Sequence, residues 1–168
     1  MKMFAHFLRK KKKPAAIKDE ISPDRVRKII SDLKGRADER RAFDIVETYL
    51  RTLIRKRAEE GKLGLKGLTN IEFYAGRYNT EENLKNNRGE PGKDIWIRLL
   101  FPLELRGEKI DIEAKSSKWG EKEHKKRYTT PVVIVNPKIS DSKIAQRIYN
   151  IIFEFVRAKL KEKNGPCF

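Results

Sequence analysis

The chain has 168 residues, and its 40 Lys and Arg residues against 24 Asp and Glu residues give a formal net charge of +16. This length favours a single domain, and so large an excess of positive charge favours a polyanionic partner, such as nucleic acid, over an acidic protein or an anionic membrane. The single cysteine, Cys167, excludes a disulfide framework and is typical of the reducing cytoplasm, and no apolar run approaches the roughly 20 residues that a transmembrane helix needs.

Residues 1–20 are expected to form a flexible basic arm. They contain seven basic and two acidic residues, including an unbroken basic run that begins at Arg9. The arm is either a solvated tail or a segment that contacts phosphates through Lys10, Lys11, Lys12 and Lys13. It is unlike a signal peptide, because its short apolar stretch precedes the charges. The remaining residues, 21–168, are expected to form one α/β domain.

Helices are predicted before any strand. Ser22, Pro23 and Asp24 are typical of a helix start, where a serine caps the helix, a proline occupies its first turn and an acid faces the positive end of the helix dipole. The Lys34-Gly35 pair is predicted to end this helix, and a second helix is predicted from about residue 37 to residue 59. Helical spacing gives the first helix one apolar face: Val26, Ile29, Ile30 and Leu33.

The middle of the chain changes to the alternation that is typical of strands. Pro102 is expected to break or bulge the second strand, and Ser140 with Asp141 is expected to cap a last, long helix. The four predicted strands are 71–78, 94–101, 109–115 and 131–135. The element order is therefore ααββββα, which predicts an α/β or α+β fold with a central mixed sheet of about four strands flanked by helices.

The third predicted strand carries the most suggestive side chains. Strand period puts Asp111, Glu113 and Lys115 on one side, opposite Ile112 and Ala114. One interpretation is an amphipathic strand with a solvated face. The other is a site for a divalent cation, because a carboxylate and an ammonium group on one strand face suit metal-assisted phosphodiester hydrolysis.

Glu113-Ala114-Lys115 resembles the E-x-K half of the motif that defines the PD-(D/E)xK nuclease superfamily. The segment from Lys34 to Arg40 is similar to the opening segment of archaeal Holliday junction resolvases, in which a Lys-Gly pair precedes a helix and a glutamate four residues after the glycine joins the metal site. That glutamate is Glu39 in this chain. It shares a helical stripe with apolar residues, so we expect it to face the sheet.

The resemblance implies a restriction-endonuclease-like fold and a metal site on it. Asp94 and Glu113 would hold Mg²⁺ or Mn²⁺ together with the Ala114 carbonyl, Glu39 would help through a water, and Lys115 would serve catalysis. The family also places a helix between the E-x-K strand and the next strand. In this chain that helix must lie within residues 116–130, where Gly120 disfavours it.

The position of Asp94 depends on the hairpin that joins the second and third strands. If Arg106-Gly107 forms a tight two-residue turn, Leu100 faces Glu113 and Asp94 lies six residues further along, which is roughly 20 Å at strand rise. Asp94 reaches Glu113 only if residues 101–107 form a longer loop or bulge. With the tight turn, the second acid would instead be Asp111 or Glu72.

The segment after Lys115 is basic and contains aromatic residues. From Lys115 to Tyr128 there are six basic and two acidic residues. One interpretation is an exposed loop whose tryptophan packs onto the sheet and whose His124 is solvated. The other is a surface that contacts phosphates and stacks on bases or sugars. The candidates for nucleic-acid contact here are Lys118, Trp119, Lys125, Lys126 and Arg127.

The first functional hypothesis is a Mg²⁺- or Mn²⁺-dependent DNA endonuclease that acts on branched or flapped DNA. The alternative is a non-catalytic nucleic-acid-binding protein that uses a basic sheet face and loop. A weaker third hypothesis is an adaptor whose basic arm binds a membrane or an acidic partner. The resemblance to resolvases adds a homodimer as an expectation. The 38% charged fraction, rich in Lys, Glu and Arg, is typical of a heat-adapted organism.

Overall fold

The structure, a computed structural model, describes residues 22–61, 70–86 and 89–164. The predicted basic arm, with Lys10, Lys11, Lys12 and Lys13, lies outside the described residues. Within the described ranges, no helix is both long enough and apolar enough to cross a membrane.

A four-stranded mixed sheet forms the centre of the fold, as the sequence predicts. Its strands are β1 (Glu72–Arg77), β2 (Ile95–Phe101), β3 (Lys109–Lys115) and β4 (Val132–Ile134). They lie in the order β1-β2-β3-β4; the first three are antiparallel, and β4 runs parallel to β3. The predicted strand bounds agree with these to within two residues. The fold is of the α+β class, and the predicted order of the main elements is confirmed apart from the helical details below.

The helices are α1 (Pro23–Ile45), a π-helical segment (Val46–Leu50), α2 (Arg51–Glu59), α3 (Glu81–Lys85), a 3₁₀ turn (Leu103–Leu105), α4 (Lys118–Lys125) and α5 (Asp141–Asn164). Ser22 caps α1 as predicted, by accepting a hydrogen bond from the Arg25 backbone N–H. The predicted break at Lys34-Gly35 is wrong. A terminating glycine usually takes a positive φ, which Gly35 lacks, so its backbone continues the helix.

The first half of α1 extends beyond the packed core. The apolar face predicted there is exposed: the relative exposure runs from 40% at Val26 to 59% at Leu33. From Glu39 onward the same helix is buried on one side, and its buried residues are Glu39, Ala42 and Ile45. Only the second half of α1 therefore packs against the core.

One face of the sheet packs against helices. Ile95, Ile97 and Leu99 of β2 are fully buried, and they alternate with the half-buried Trp96 and the exposed Arg98. α5 contributes an apolar stripe to the same core and contacts the π-helical segment, α1, α2 and β4. This arrangement fixes the C-terminal end of β3 between β4 and the buried half of α1, where the candidate site lies.

Candidate active site

The register of the β2–β3 hairpin brings Asp94 opposite Glu113. Ile95 pairs with Ile112, and the pairing runs without a shift to Arg98 and Lys109. Leu99 still hydrogen-bonds to Glu108, so the connection is a loop that contains the 3₁₀ turn. The tight two-residue turn is therefore wrong, and the longer loop that Asp94 requires is present. Residues directly opposite in an antiparallel pair lie on the same side of the sheet.

Asp94 is held by two donors. The Ala114 backbone N–H donates to Asp94 Oδ2 at 2.8 Å, and Asn79 Nδ2 donates to Oδ1 at 3.3 Å. Burial, reinforced by the negative charge of Glu113, raises the pKa of Asp94 from 3.8 to about 6 despite these hydrogen bonds. Two carboxyl groups held this close favour either a shared proton or a cation between them.

Glu113 is 4% exposed, and its two carboxylate oxygens have different surroundings. Oε1 forms an ion pair with Lys115 and lies 3.7 Å from His124 Nδ1. Oε2 is buried and has no hydrogen-bond partner. A buried carboxylate oxygen without a partner is costly, so this atom marks a position where a positively charged or hydrogen-bonding group would be stabilising.

Glu39 faces the sheet, as its place on the helical stripe predicts. It is 1% exposed and accepts a hydrogen bond from Arg77 Nε at 2.9 Å. Burial raises the pKa of Glu39 even though Arg77 opposes the shift, and the nearby Asp94 adds to it. Glu39 therefore belongs to the same electrostatic neighbourhood as Asp94 and Glu113.

The alternative second acids lie elsewhere. Asp111 accepts a hydrogen bond from Tyr78 at 2.6 Å and pairs with Lys93 at 3.1 Å. Burial alone would raise the pKa of Asp111, but these two hydrogen bonds and the charges of Lys109 and Lys93 together outweigh it, and the pKa is lowered. Glu72 is exposed at the other end of the sheet, opposite Phe101, and bonds to Asn70. Of the acids considered, Asp94 is the one that the fold places beside Glu113.

α4 is the helix expected between the E-x-K strand and the next strand, and it forms despite Gly120. Ser117 caps it by accepting a hydrogen bond from the Gly120 N–H. The space beside Gly120 is occupied by the Lys115 side chain, which a Cβ would meet at 3.5 Å. α4 therefore packs directly against the Lys115 side chain, and the helix supplies one wall of the site.

The predicted nucleic-acid-binding residues lie on α4 and the turn after it. Trp119 is 73% exposed, so it does not pack onto the sheet. His124 is buried and not solvated, and burial together with Lys115 lowers its pKa. Lys125 and Lys126 form surface ion pairs with Glu121 and Glu123. Lys118 and Arg127 are exposed.

An arginine-lined cavity of about 520 Å³ lies between α1 and the residues at and after the end of β1, and sequence reasoning missed it. Its walls include Asn79, which binds Asp94, and Arg77, which binds Glu39. The arginines that line it are Arg36, Arg40, Arg41 and Arg77. The i, i+4 spacing of Arg36 and Arg40 on the helix of Glu39 is the signal that could have located it.

Asp38 is a further acid near the site, and the sequence analysis did not single it out. Asp38 hydrogen-bonds to Ser116 and lies near Lys115. Burial raises the pKa of Asp38 in spite of both contacts. Across residues 22–61, 70–86 and 89–164, however, no group of three or more His, Cys, Asp or Glu side chains is close enough to form a ready-made metal cluster.

Comparisons of the chain with protein-family models, with curated proteins and with solved structures found no match.

Proposed function

We propose that this protein is a metal-dependent endonuclease that hydrolyses phosphodiester bonds in DNA through chemistry of the PD-(D/E)xK type. The observation that supports it is the meeting of Asp94, Glu113 and Lys115 on adjacent strands, with a buried Glu113 oxygen that has no partner. A carboxylate pair beside an ammonium group, next to grooves lined with positive charge, is the constellation that phosphodiester hydrolysis needs.

The donor set fits a hard divalent cation. Asp94, Glu113 and the Ala114 carbonyl would hold Mg²⁺ or Mn²⁺, with Glu39 assisting through a water. Oxygen donors suit these ions, and Mg²⁺ keeps several of its waters, so two carboxylates and a carbonyl are sufficient. When bound, such an ion lowers the pKa of water and offsets the negative charge of the phosphate.

Lys115 is the proposed catalytic cation. Its side chain is 34% exposed and is held at the site by the ion pair with Glu113. A positioned charge near the scissile phosphate stabilises the charge that develops in the transition state, an effect of about 3–4 kcal/mol in partly dry sites. The Ala114 N–H and Asn79 fix the Asp94 carboxylate, so both acids are oriented before a substrate binds.

The arginine-lined cavity provides a binding surface for the parts of the DNA strand that flank the cleaved bond. Arg36 and Arg40 are exposed, and neither forms an ion pair within the described part of the chain. Because guanidinium groups bind phosphate oxygens in a bidentate manner, this wall suits the phosphates that flank the cleaved bond. The proposal includes branched or flapped DNA as the class of substrate.

The second candidate, a non-catalytic nucleic-acid-binding protein, is favoured by one observation. The outer face of the sheet carries exposed Arg98, Lys109 and Tyr74, which could contact a nucleic-acid backbone without any chemistry. This candidate predicts DNA binding without specific binding of a divalent ion at Glu113.

Cleavage and ion binding, measured separately, distinguish the two candidates. The wild-type protein is incubated with nicked, flapped and four-way DNA in Mg²⁺ and in Mn²⁺, and Mn²⁺ binding is followed by electron paramagnetic resonance. We expect cleavage and Mn²⁺ binding that are both lost in Glu113→Gln but kept in the control Glu162→Gln, an acid on α5 that pairs with Lys159 and lies outside both cavities. A wild-type protein that cuts none of the substrates and binds no ion would favour the binding protein.

The homodimer and the cytoplasmic location stay predictions. Sedimentation velocity at several protein concentrations tests the dimer directly.

A further inference from the structure

A second cavity adjoins Glu113 and shares no lining residue with the arginine-lined cavity. It measures about 440 Å³, which lies in the range of roughly 300–1,000 Å³ that is usual for small-ligand pockets. Glu113 and Lys115 form its floor on the side of the sheet, and α4 with the turn after it forms the rest. Any group in this cavity would therefore touch the proposed catalytic residues and the aromatic side chains together.

The far wall of the cavity is a fixed aromatic surface. The Tyr128 ring stacks on the buried His124 ring, with centroids 4.9 Å apart. On its other side Tyr128 lies against Gly92, where a Cβ would come within 2.7 Å of the ring. Gly92 also has a φ of +74°, a conformation that favours glycine. Tyr128 is thus held in one orientation by a histidine and by a backbone.

The cavity lining also includes the side chain of Trp119. Trp119 is 73% exposed, and no ring or cation contacts it among the residues that the structure describes. Exposed Arg127 and the Lys115 ammonium lie in the same cavity. Exposed aromatic faces combined with cations bind single-stranded nucleic acid, because every base has a face that can stack.

We propose that this cavity binds one unstacked base of a DNA strand whose adjacent phosphate lies at Glu113 and Lys115. In a continuous duplex the base faces are covered by their neighbours, so only a base that has left the stack can present its face to Trp119. The substrate class is then DNA with an unpaired nucleotide beside the cleaved bond. A simple single-stranded overhang satisfies this requirement and a four-way junction is not needed. The cleavage part rests on the proposed function, whereas the base-binding part does not.

Tryptophan fluorescence tests base binding without any catalysis. The chain has two tryptophans, and Trp96 is half-buried where its ring lies against Gly76. A ten-nucleotide oligothymidine in the presence of EDTA should quench the fluorescence of the wild type and of Trp96→Phe, but not of Trp119→Phe. A blunt duplex at equal phosphate concentration should quench the wild type and Trp96→Phe much less.

Affinity measurements by anisotropy provide the second readout. Trp119→Ala should weaken oligothymidine binding about tenfold, because one base loses its stacking partner, and change duplex binding less than twofold. Trp119→Phe should keep most of the affinity. Tyr49→Ala removes another exposed aromatic side chain, 46% exposed in the π-helical segment, and should change neither.

The outcomes separate this proposal from the proposed function. Absent quenching, an unchanged affinity in Trp119→Ala, or an equal loss on single-stranded and duplex DNA would each overturn the base pocket. Specific oligothymidine binding in a protein that cuts nothing would support the pocket and overturn the nuclease. Cleavage of overhang and blunt substrates at equal rates by the wild type would support the nuclease and overturn the pocket.

Discussion

At the scale of single residues, the asymmetric environment of Glu113 leads to the most direct prediction. One of its oxygens is paired with Lys115 and the other has no partner. Glu113→Gln should abolish cleavage and keep DNA binding, because the removed charge weakens the hold on a cation but also reduces repulsion of phosphate. Lys115→Ala should lower the cleavage rate about a hundred- to a thousandfold. Single-turnover kinetics with saturating protein measure both.

The acids near Glu113 can be ranked by matched substitutions. Asp94→Asn should cause a severe loss of cleavage, whereas Asp111→Asn should have little effect, because Asp111 is engaged with Tyr78 and Lys93. Glu39→Gln should have an intermediate effect if its contribution passes through a water. Equal rates in Asp94→Asn and Asp111→Asn would contradict the proposed site, and circular dichroism checks that each variant is folded.

The pKa of Asp94 gives a prediction that needs no substrate. In the metal-free protein this carboxyl should titrate near 6, because it is buried and lies beside the charge of Glu113. Glu113→Gln should shift the titration to lower pH, and Asp111 should titrate below its ordinary range as an internal control. Carbon-13 NMR of labelled aspartate carboxyl groups resolves the two.

The raised pKa of Asp94 also predicts in which direction the free energy of unfolding changes with pH. Between about pH 4 and pH 6 the folded protein binds more protons at Asp94 than the unfolded chain does. The contribution of Asp94 to the free energy of unfolding therefore falls as the pH rises through this window and is constant above it. Comparing urea unfolding of wild type and Glu113→Gln across that range isolates the effect, which should be smaller in the variant.

The sequence could predict the parts of the site that depend on a local pattern. It could not predict the parts that depend on contacts between distant segments of the chain. The inward-facing Glu39 follows from local helical period, and Glu113 with Lys115 follows from strand period. The pairing of Asp94 with Glu113 depends on how many residues the hairpin loop takes up, and no local pattern fixes that number. The arginine-lined cavity was missed because its walls come from α1 and from the segment after β1, which meet only in the folded protein.

At the scale of elements, Gly35 shows why a local signal failed. Lys34-Gly35 is typical of a helix end, but a helix ends at glycine only when the following chain turns away. Here the helix continues past Gly35 because Glu39, Ala42 and Ile45 are buried in the folded protein, and a helical backbone places them on one side. The same reasoning applies to α4, where helix capping by Ser117 and packing against Lys115 outweigh the cost of Gly120.

The continuous helix predicts that Gly35→Ala is stabilising. A Cβ at Gly35 meets no atom within 4 Å, and the backbone there is helical. Alanine should raise the free energy of unfolding by roughly 0.5–1 kcal/mol, because it restricts the unfolded chain and favours the helix. Urea denaturation measures the change. Gly92→Ala is the contrasting control and should be destabilising, since Gly92 has a positive φ and lies against Tyr128.

At the scale of the whole molecule, the net charge of +16 predicts how DNA binding responds to salt. Affinity for duplex DNA should be micromolar or tighter at low salt and should fall steeply as salt rises, because binding releases counterions from the phosphates. Removing residues 1–13 should flatten the slope of log K against log salt and leave unfolding by urea unchanged. Anisotropy titrations between about 50 and 200 mM salt cover the useful range.

A second variant tests how much of the salt slope comes from arginines of the folded domain. Arg36→Ala with Arg40→Ala should weaken duplex binding and reduce the salt slope by about one to two counterions, since roughly 0.9 is released per phosphate contact. Arg147→Ala, an exposed arginine on α5 that lies outside both cavities, is the matched control. An identical slope in the double variant and the wild type would contradict the proposed binding surface for the strand.

The extension of α1 beyond the core divides one helix into two regions of different local stability. Isolated helical turns are marginal in water, so the backbone amides before residue 38 should exchange with deuterium far sooner than those of the buried stretch after it. Glu39 lies where this protection begins. Opening of the exposed turns can thus reach the edge of the carboxylate site without disturbing Asp94 or Glu113, which are held by the hairpin. We therefore expect Glu39 to be less protected against local opening than Asp94 and Glu113.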